Sequence, residues 1–162
     1  MKENFSKRLQ KIIKCSKEEA IRLGHSYVGS EHLLLALLKE KEGLTRKIID
    51  IFDLDPAEIV SMLEDMIKSS GGTMTLGHLP LTRRAERVLR NSFSEATSNG
   101  NLVADDEYLL LSILKEKEGV AYEVLKTFSL DYDTVNDLIH VKNENNPNKN
   151  KDDIISANKK TP

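Results

Sequence analysis

The residues whose types could do chemistry are four histidines, one cysteine, a run of arginines and many acids. His25 and His32 lie seven positions apart, but a helix break is expected between them. Solvent or capping contacts therefore suit them better than a shared metal. His78 and His140 are isolated in the sequence. No H-E-x-x-H string or paired-cysteine signature occurs, and Cys15, the single cysteine, reads as a small residue on a helix and excludes an internal disulfide. A phosphate loop of the form G-x-x-x-x-G-K-S/T is absent, and Gly71–Gly72 lacks the strand context of a nucleotide fingerprint. Arg83, Arg84, Arg87 and Arg90 are spaced to form a stripe on one helix. Glu86 and Glu95 interrupt it and no aromatic platform accompanies it, so nucleic acid is not expected. The acids alternate with lysines, as on solvated faces of amphipathic helices. Nothing in this set points to catalysis, a metal or a cofactor.

The bulk numbers are ordinary for a soluble helical protein. The chain has 162 residues, 31% charged and 39% hydrophobic, with a formal net charge of −2. That length suits one domain or two small ones, and the charge steers toward neither nucleic acid nor an anionic membrane. The longest apolar run is Leu33–Leu38, far short of the roughly 20 residues a membrane helix needs. No apolar h-region follows Met1. A cytoplasmic protein is the expectation.

The elements that position these residues are written twice. "LLLALLKEKEG" at 33–43 and "LLLSILKEKEG" at 109–119 share nine of eleven residues. The offset of 76 aligns 5–63 with 81–139 without a gap, with eighteen of fifty-nine pairs identical. Two copies are too few for an open solenoid, so an all-α fold is expected, with two pseudo-symmetric four-helix repeats packed into one globule. The segments are repeat 1 over 1–68, a Gly/Ser/Thr-rich linker over 69–80, repeat 2 over 81–142 and a mobile polar tail over 143–162.

Within each copy, Ser6 or Thr82 is the expected N-cap of a first helix that stops at Gly24 or Gly100. Ser30 or Asp106 is expected to cap a leucine-rich second helix ending at Gly43 or Gly119. The third helix covers about 44–52 and 120–128. "DLDPAEI" announces the fourth: Asp55 as cap, Pro56 at the first helical position, Glu58 at the third, and Leu54 and Ile59 as a staple. The second copy keeps the staple as Leu130 and Val135 but lacks the proline.

"EEAIRLGHSYVGSEHLLLAL" followed by "EGLTRKIIDIFDLD", with a degenerate second copy, resembles the double Clp-N repeat over about 3–142. The similarity is greatest to the ClpC type of bacterial Hsp100 AAA+ unfoldase. The ending "NKKTP" resembles the point where such proteins run into their first ATPase module. The resemblance implies a substrate- and adaptor-receiving domain that is itself no enzyme. ATP and Mg belong to the absent ATPase modules. Its partners would be protein substrates, adaptors of the MecA or McsB type, and a ClpP-type peptidase reached through the parent ring. A stand-alone helical adaptor, binding a peptide between its copies, is the alternative.

The resemblance also implies, for some ClpC proteins, recognition of phosphorylated arginine with one pocket per repeat. Such a ligand needs a carboxylate for its guanidinium and an anion hole for its phosphate. Glu31 and Glu107 are the matched acids. The starts of the first helices, Ser6–Lys7–Arg8 and Thr82–Arg83–Arg84, offer free N–H groups, a hydroxyl and basic side chains. The copies differ here. "GHSYVGSEH" becomes "GNLVADDEY", so Asp105, Asp106 and Tyr108 replace Gly29, Ser30 and His32. Three adjacent acids repel a phosphate, so a better site is expected at Glu31 than at Glu107.

Overall fold

Ser6 and Thr82 begin the first helix of each repeat by accepting the backbone N–H of Leu9 and of Ala85, both at 3.0 Å. The computed structural model describes residues 4–68 and 78–144. The linker read over 69–80 lies outside the described residues at 69–77, and the tail read over 143–162 lies outside them from 145. Eight helices form among the described residues: α1 (Lys7–Arg22), α2 (Ser30–Lys39), α3 (Leu44–Ile51), α4 (Pro56–Met66), α5 (Arg83–Ser98), α6 (Asp106–Glu116), α7 (Val120–Thr127) and α8 (Tyr132–Glu144). The first four and the last four are the two repeats. None is long and apolar enough to cross a membrane.

Two helices organise the rest. Every residue of α2 from His32 to Leu38 is buried, and every residue of α6 from Asp106 to Leu114. A helix that is buried all round needs neighbours on every side. Each repeat supplies only part of them. α2 packs on α1, α3 and α4 of its own repeat and on α5, α6 and α7 of the other. α6 packs on α5, α7 and α8, and across the repeats on α1, α2 and α3. One hydrophobic core therefore runs through both copies, from Leu9 to Ile139.

The starts of the first helices are exchanged between repeats. Phe5 bridges to Ala104, and Leu81 to Val28, each in parallel. Ser6 N–H donates to Ala104 C=O, and Thr82 N–H to Val28 C=O, both at 2.9 Å. These pairs correspond under the 76-residue offset, so the approximate twofold relation is visible in the backbone. The ion pairs repeat as well: Lys39 meets Glu19 at 2.9 Å and Lys115 meets Glu95 at 3.0 Å.

Two expectations about helix ends change. Gly29 and Asp105 are the N-caps of α2 and α6, so Ser30 and Asp106 stand one residue inside. Gly43 and Gly119 do not stop the second helices. They start the third ones, as the N-caps of α3 and α7, at φ 110° and 96°, a backbone region suited to glycine. α2 instead ends at a C-cap on Glu40, and α6 on Lys117, which turns left-handed. The caps Ser6, Thr82 and Asp55 stand as expected, with Asp55 accepting Ala57 N–H at 2.9 Å.

Because Gly29 has no side chain, His32 completes the cap. Its Nδ1 accepts Gly29 N–H at 2.9 Å, and its Nε2 lies 2.7 Å from His25 Nδ1. Capping is thus one role of His32, but neither ring is solvated: His25 is 7% exposed and His32 0%. In the second copy Asn101 Nδ2 donates to Tyr108 OH at 2.5 Å, joining the same two positions by different chemistry. With Nδ1 accepting, His32 carries its proton on Nε2 and has no free lone pair to protonate. Burial first, and the neighbouring His25 second, push its pKa down to about 4.

Two measurements check this architecture. Leu34→Ala, at the centre of the core, lowers the unfolding free energy by about 2–5 kcal/mol in denaturant melts. Leu102→Ala, 75% exposed, changes it by less than about 0.5 kcal/mol. The folded chain holds His32 neutral, so between about pH 6.5 and pH 4 only the unfolded chain takes up that proton. His32 therefore subtracts stability as pH falls through this window, on the order of 3 kcal/mol in total, and none above it. The double variant His25→Asn/His32→Tyr, copying the second repeat, shows a correspondingly flatter dependence of stability on pH.

Candidate functional site

The exchanged starts decide which residues meet. The phosphate-side candidates of one repeat lie against the second helix of the other. Ser6, Lys7 and Arg8 open α1 beside Asp105, Asp106 and Glu107 at the head of α6. Thr82, Arg83 and Arg84 open α5 beside Gly29, Ser30 and Glu31 at the head of α2. Each candidate pocket is therefore built from both repeats rather than from one.

At the α1–α6 junction the charges are already matched. Ser6 Oγ donates to Asp105 Oδ1 at 2.7 Å, and Arg8 Nη1 reaches Asp105 Oδ2 at 3.0 Å and Asp106 Oδ1 at 3.3 Å. A third helix joins them: Thr45 N–H, in the first turn of α3, donates to Asp106 Oδ2 at 2.7 Å. Gly43 makes room, since a Cβ there would come within 2.6 Å of Asp106 Oδ1. Burial pushes the Asp106 carboxyl above its usual range, while the hydrogen bond from Thr45 and the Arg8 charge pull the other way. Burial opposes the Arg8 charge, yet Asp105 and then Asp106 leave its pKa raised. Glu107 is 1% exposed. Asp105, Asp106 and Glu107 bring oxygens within 4.8 Å of one another, a spacing a cation would accept, but Arg8 and two helix starts already serve the two aspartates. Lys7 is exposed.

The α5–α2 junction has the same frame and different contents. Glu31 is half-buried in the first turn of α2, with its carboxylate folded over Gly29: a Cβ on Gly29 would lie 2.5 Å from Oε1. Glu31 makes no hydrogen bond or ion pair among the described residues. Gly29 and Ser30 occupy the places of Asp105 and Asp106, so Arg84 turns to the end of α6. Its Nη2 meets Glu118 Oε1 at 3.0 Å, and its Nε lies 3.5 Å from Glu116 Oε1. Arg83 is exposed. Arg87 forms a two-pronged pair with Glu116, at 2.9 and 2.6 Å. Half of the arginine stripe thus serves to bind α5 to α6.

Chemically, this junction offers helix N-termini and an arginine for an anion, and a carboxylate within the same junction for a cation. The sequence located Glu31, Ser6–Arg8 and Thr82–Arg84 at helix starts but missed the contribution of α3 and α7. The signal was there in Gly43 and Gly119, identical in both copies but taken for helix stops. Cys15 is half-buried on α1 and makes no part of either junction.

The profile of the Clp repeat (R) N-terminal domain matches residues 4–128 and 80–159. The ATP-binding subunit ClpC of the ATP-dependent Clp protease of Staphylococcus saprophyticus is 36% identical over 127 residues, 78% of this chain and 15% of that protein. The ClpC subunit of Staphylococcus aureus is 35% identical over the same shares. The match thus spans about a seventh of the length of these relatives. Among solved structures, the Hsp104 N-terminal domain of Candida albicans superposes with a TM-score of 0.69 at 15% identity, over 82% of this chain and 87% of that one. The N-terminal domain of the chaperone ClpD of Arabidopsis thaliana gives 0.64 at 18% identity, over 86% and 95%. The N-terminal domain of the ClpV1 ATPase of Escherichia coli gives 0.68 at 18% identity, over 83% of each. With the profile matched across both repeats and the fold shared with these domains, the chain belongs to the Clp repeat (R) N-terminal domain family.

Proposed function

We propose that this domain receives protein substrates and adaptors for a ClpC-like ATP-dependent unfoldase that feeds a ClpP-type peptidase, and that it recognises phosphoarginine at the α2–α5 junction. The similarity to ClpC subunits supports the first part. The second rests on one observation: Glu31 is half-buried and unpaired among the described residues, while helix N-termini and Arg84 share its junction. A guanidinium satisfies the acid, and a phosphate on the same side chain satisfies the N–H groups. Neither task needs a catalytic group, so the domain acts as a receptor. MecA- or McsB-like proteins are candidate adaptors. A stand-alone adaptor has less in its favour, because the ClpC relatives carry the matching segment inside far longer chains. Sequence beyond Pro162 encoding a phosphate loop would exclude it.

Calorimetric titration of the chain with phosphoarginine tests the site. Glu31→Ala weakens binding by about tenfold to a hundredfold, the cost of one charge-assisted contact. Glu107→Ala leaves the affinity within about threefold, a spread set by the usual context dependence of such changes. Unchanged affinity in Glu31→Ala removes Glu31 from the site.

A further inference from the structure

The two junctions present the same frame in two states. In the α1–α3–α6 frame an anion is bound, and it belongs to the chain itself. The Asp106 carboxylate, 1% exposed, accepts Thr45 N–H at 2.7 Å and meets Arg8 at 3.3 Å. Gly43 at φ 110° leaves the space in which it sits. An anion at a helix N-terminus, beside an arginine and against a glycine, is how phosphate and carboxylate ligands are held.

The 76-residue offset carries each part of this frame to the α5–α7–α2 junction. Ala121 N–H stands for Thr45 N–H, Arg84 for Arg8, and Gly119 at φ 96° for Gly43. A Cβ on Gly119 would lie 2.9 Å from Arg84 Nη1, so the arginine approaches that glycine as Arg8 approaches Gly43. The anion has no counterpart, because Ser30 stands where Asp106 does. Without that carboxylate, Arg84 pairs instead with Glu118 at 3.0 Å and Glu116 at 3.5 Å, at the end of α6.

We propose that Asp106 is a built-in anionic ligand that closes the α1–α3–α6 frame, leaving the α5–α7–α2 frame as the one place per chain that takes a phosphoryl group from outside. Asp105 secures the closure by holding Ser6 and Arg8. Repeat 2 thereby keeps the geometry of a receptor and supplies its own occupant. The nature of the ligand rests on the reading given above, but the occupancy by Asp106 does not.

The test is an amide-resolved NMR titration of the whole chain with inorganic phosphate and, separately, with phosphoarginine. In the unaltered chain the Ala121 amide shifts and the Thr45 amide does not. In D105G/D106S both shift, and the stoichiometry rises from one to two. In S30D, which supplies the missing carboxylate to the other frame, the Ala121 titration weakens by about tenfold or more. A Thr45 response in the unaltered chain overturns the proposal. So does a folded D105G/D106S in which Thr45 stays silent, an S30D chain that titrates at Ala121 with unchanged affinity, or an unaltered chain in which Ala121 ignores both probes. Should D105G/D106S fail to fold, S30D alone decides. Response to phosphate but not to phosphoarginine leaves the closure by Asp106 standing and removes phosphoarginine as the ligand.

Discussion

α2 and α6 are apolar on nearly every side, and a helix of that kind has no stable place beside water. Leu33 to Leu38 and Leu109 to Leu111 with Ile113 and Leu114 are all at most 4% exposed. One repeat cannot enclose its own central helix, because three of the helices that cover α2 come from the other copy. The twofold relation, the exchanged bridges and the two mixed junctions all follow from that need. Burial of large aliphatic side chains, each worth about 1.5–3 kcal/mol, is what holds the copies together. The ion pairs of Lys39 with Glu19 and of Arg87 with Glu116 lie at the rim, where such pairs contribute little.

Much of this scaffold was legible in the sequence. Caps with side chains announce themselves, and Ser6, Thr82 and Asp55 were found for that reason. Caps without side chains do not. Gly29 does its work through His32, three residues on, so the helix start was read one residue late. Glycine also serves both ends of helices, which is why Gly43 and Gly119 were taken for stops. Their positive φ is the same in either role, and only the three-dimensional path distinguishes them.

The candidate site was legible in its parts but not in its assembly. Glu31 and Thr82 are far apart in sequence, and no pattern in either segment states that they share a junction. The offset of 76 says that two frames exist, while the pairing of each frame with the opposite repeat comes only from the backbone bridges. Burial was the other hidden quantity. Asp106 reads in the sequence as a helix cap among three adjacent acids, whereas Arg8 and the start of α3 draw it inside. Where the sequence suggested only repulsion of a phosphate, the change from "GS" to "DD" sets two carboxylates against Arg8.

The exchange of chain starts also governs when this domain can exist. The Ser6–Asp105 contact spans 99 residues of chain, and the Phe5–Ala104 bridge as many. During synthesis the first repeat emerges with α2 half covered and its own N-terminal edge unpaired, and both wait for α5 and α6. Closing such long loops comes late and slows folding, and uncovered leucines invite association in the interval. Each time it is made, the domain thus passes through a stage in which part of its own core still faces water.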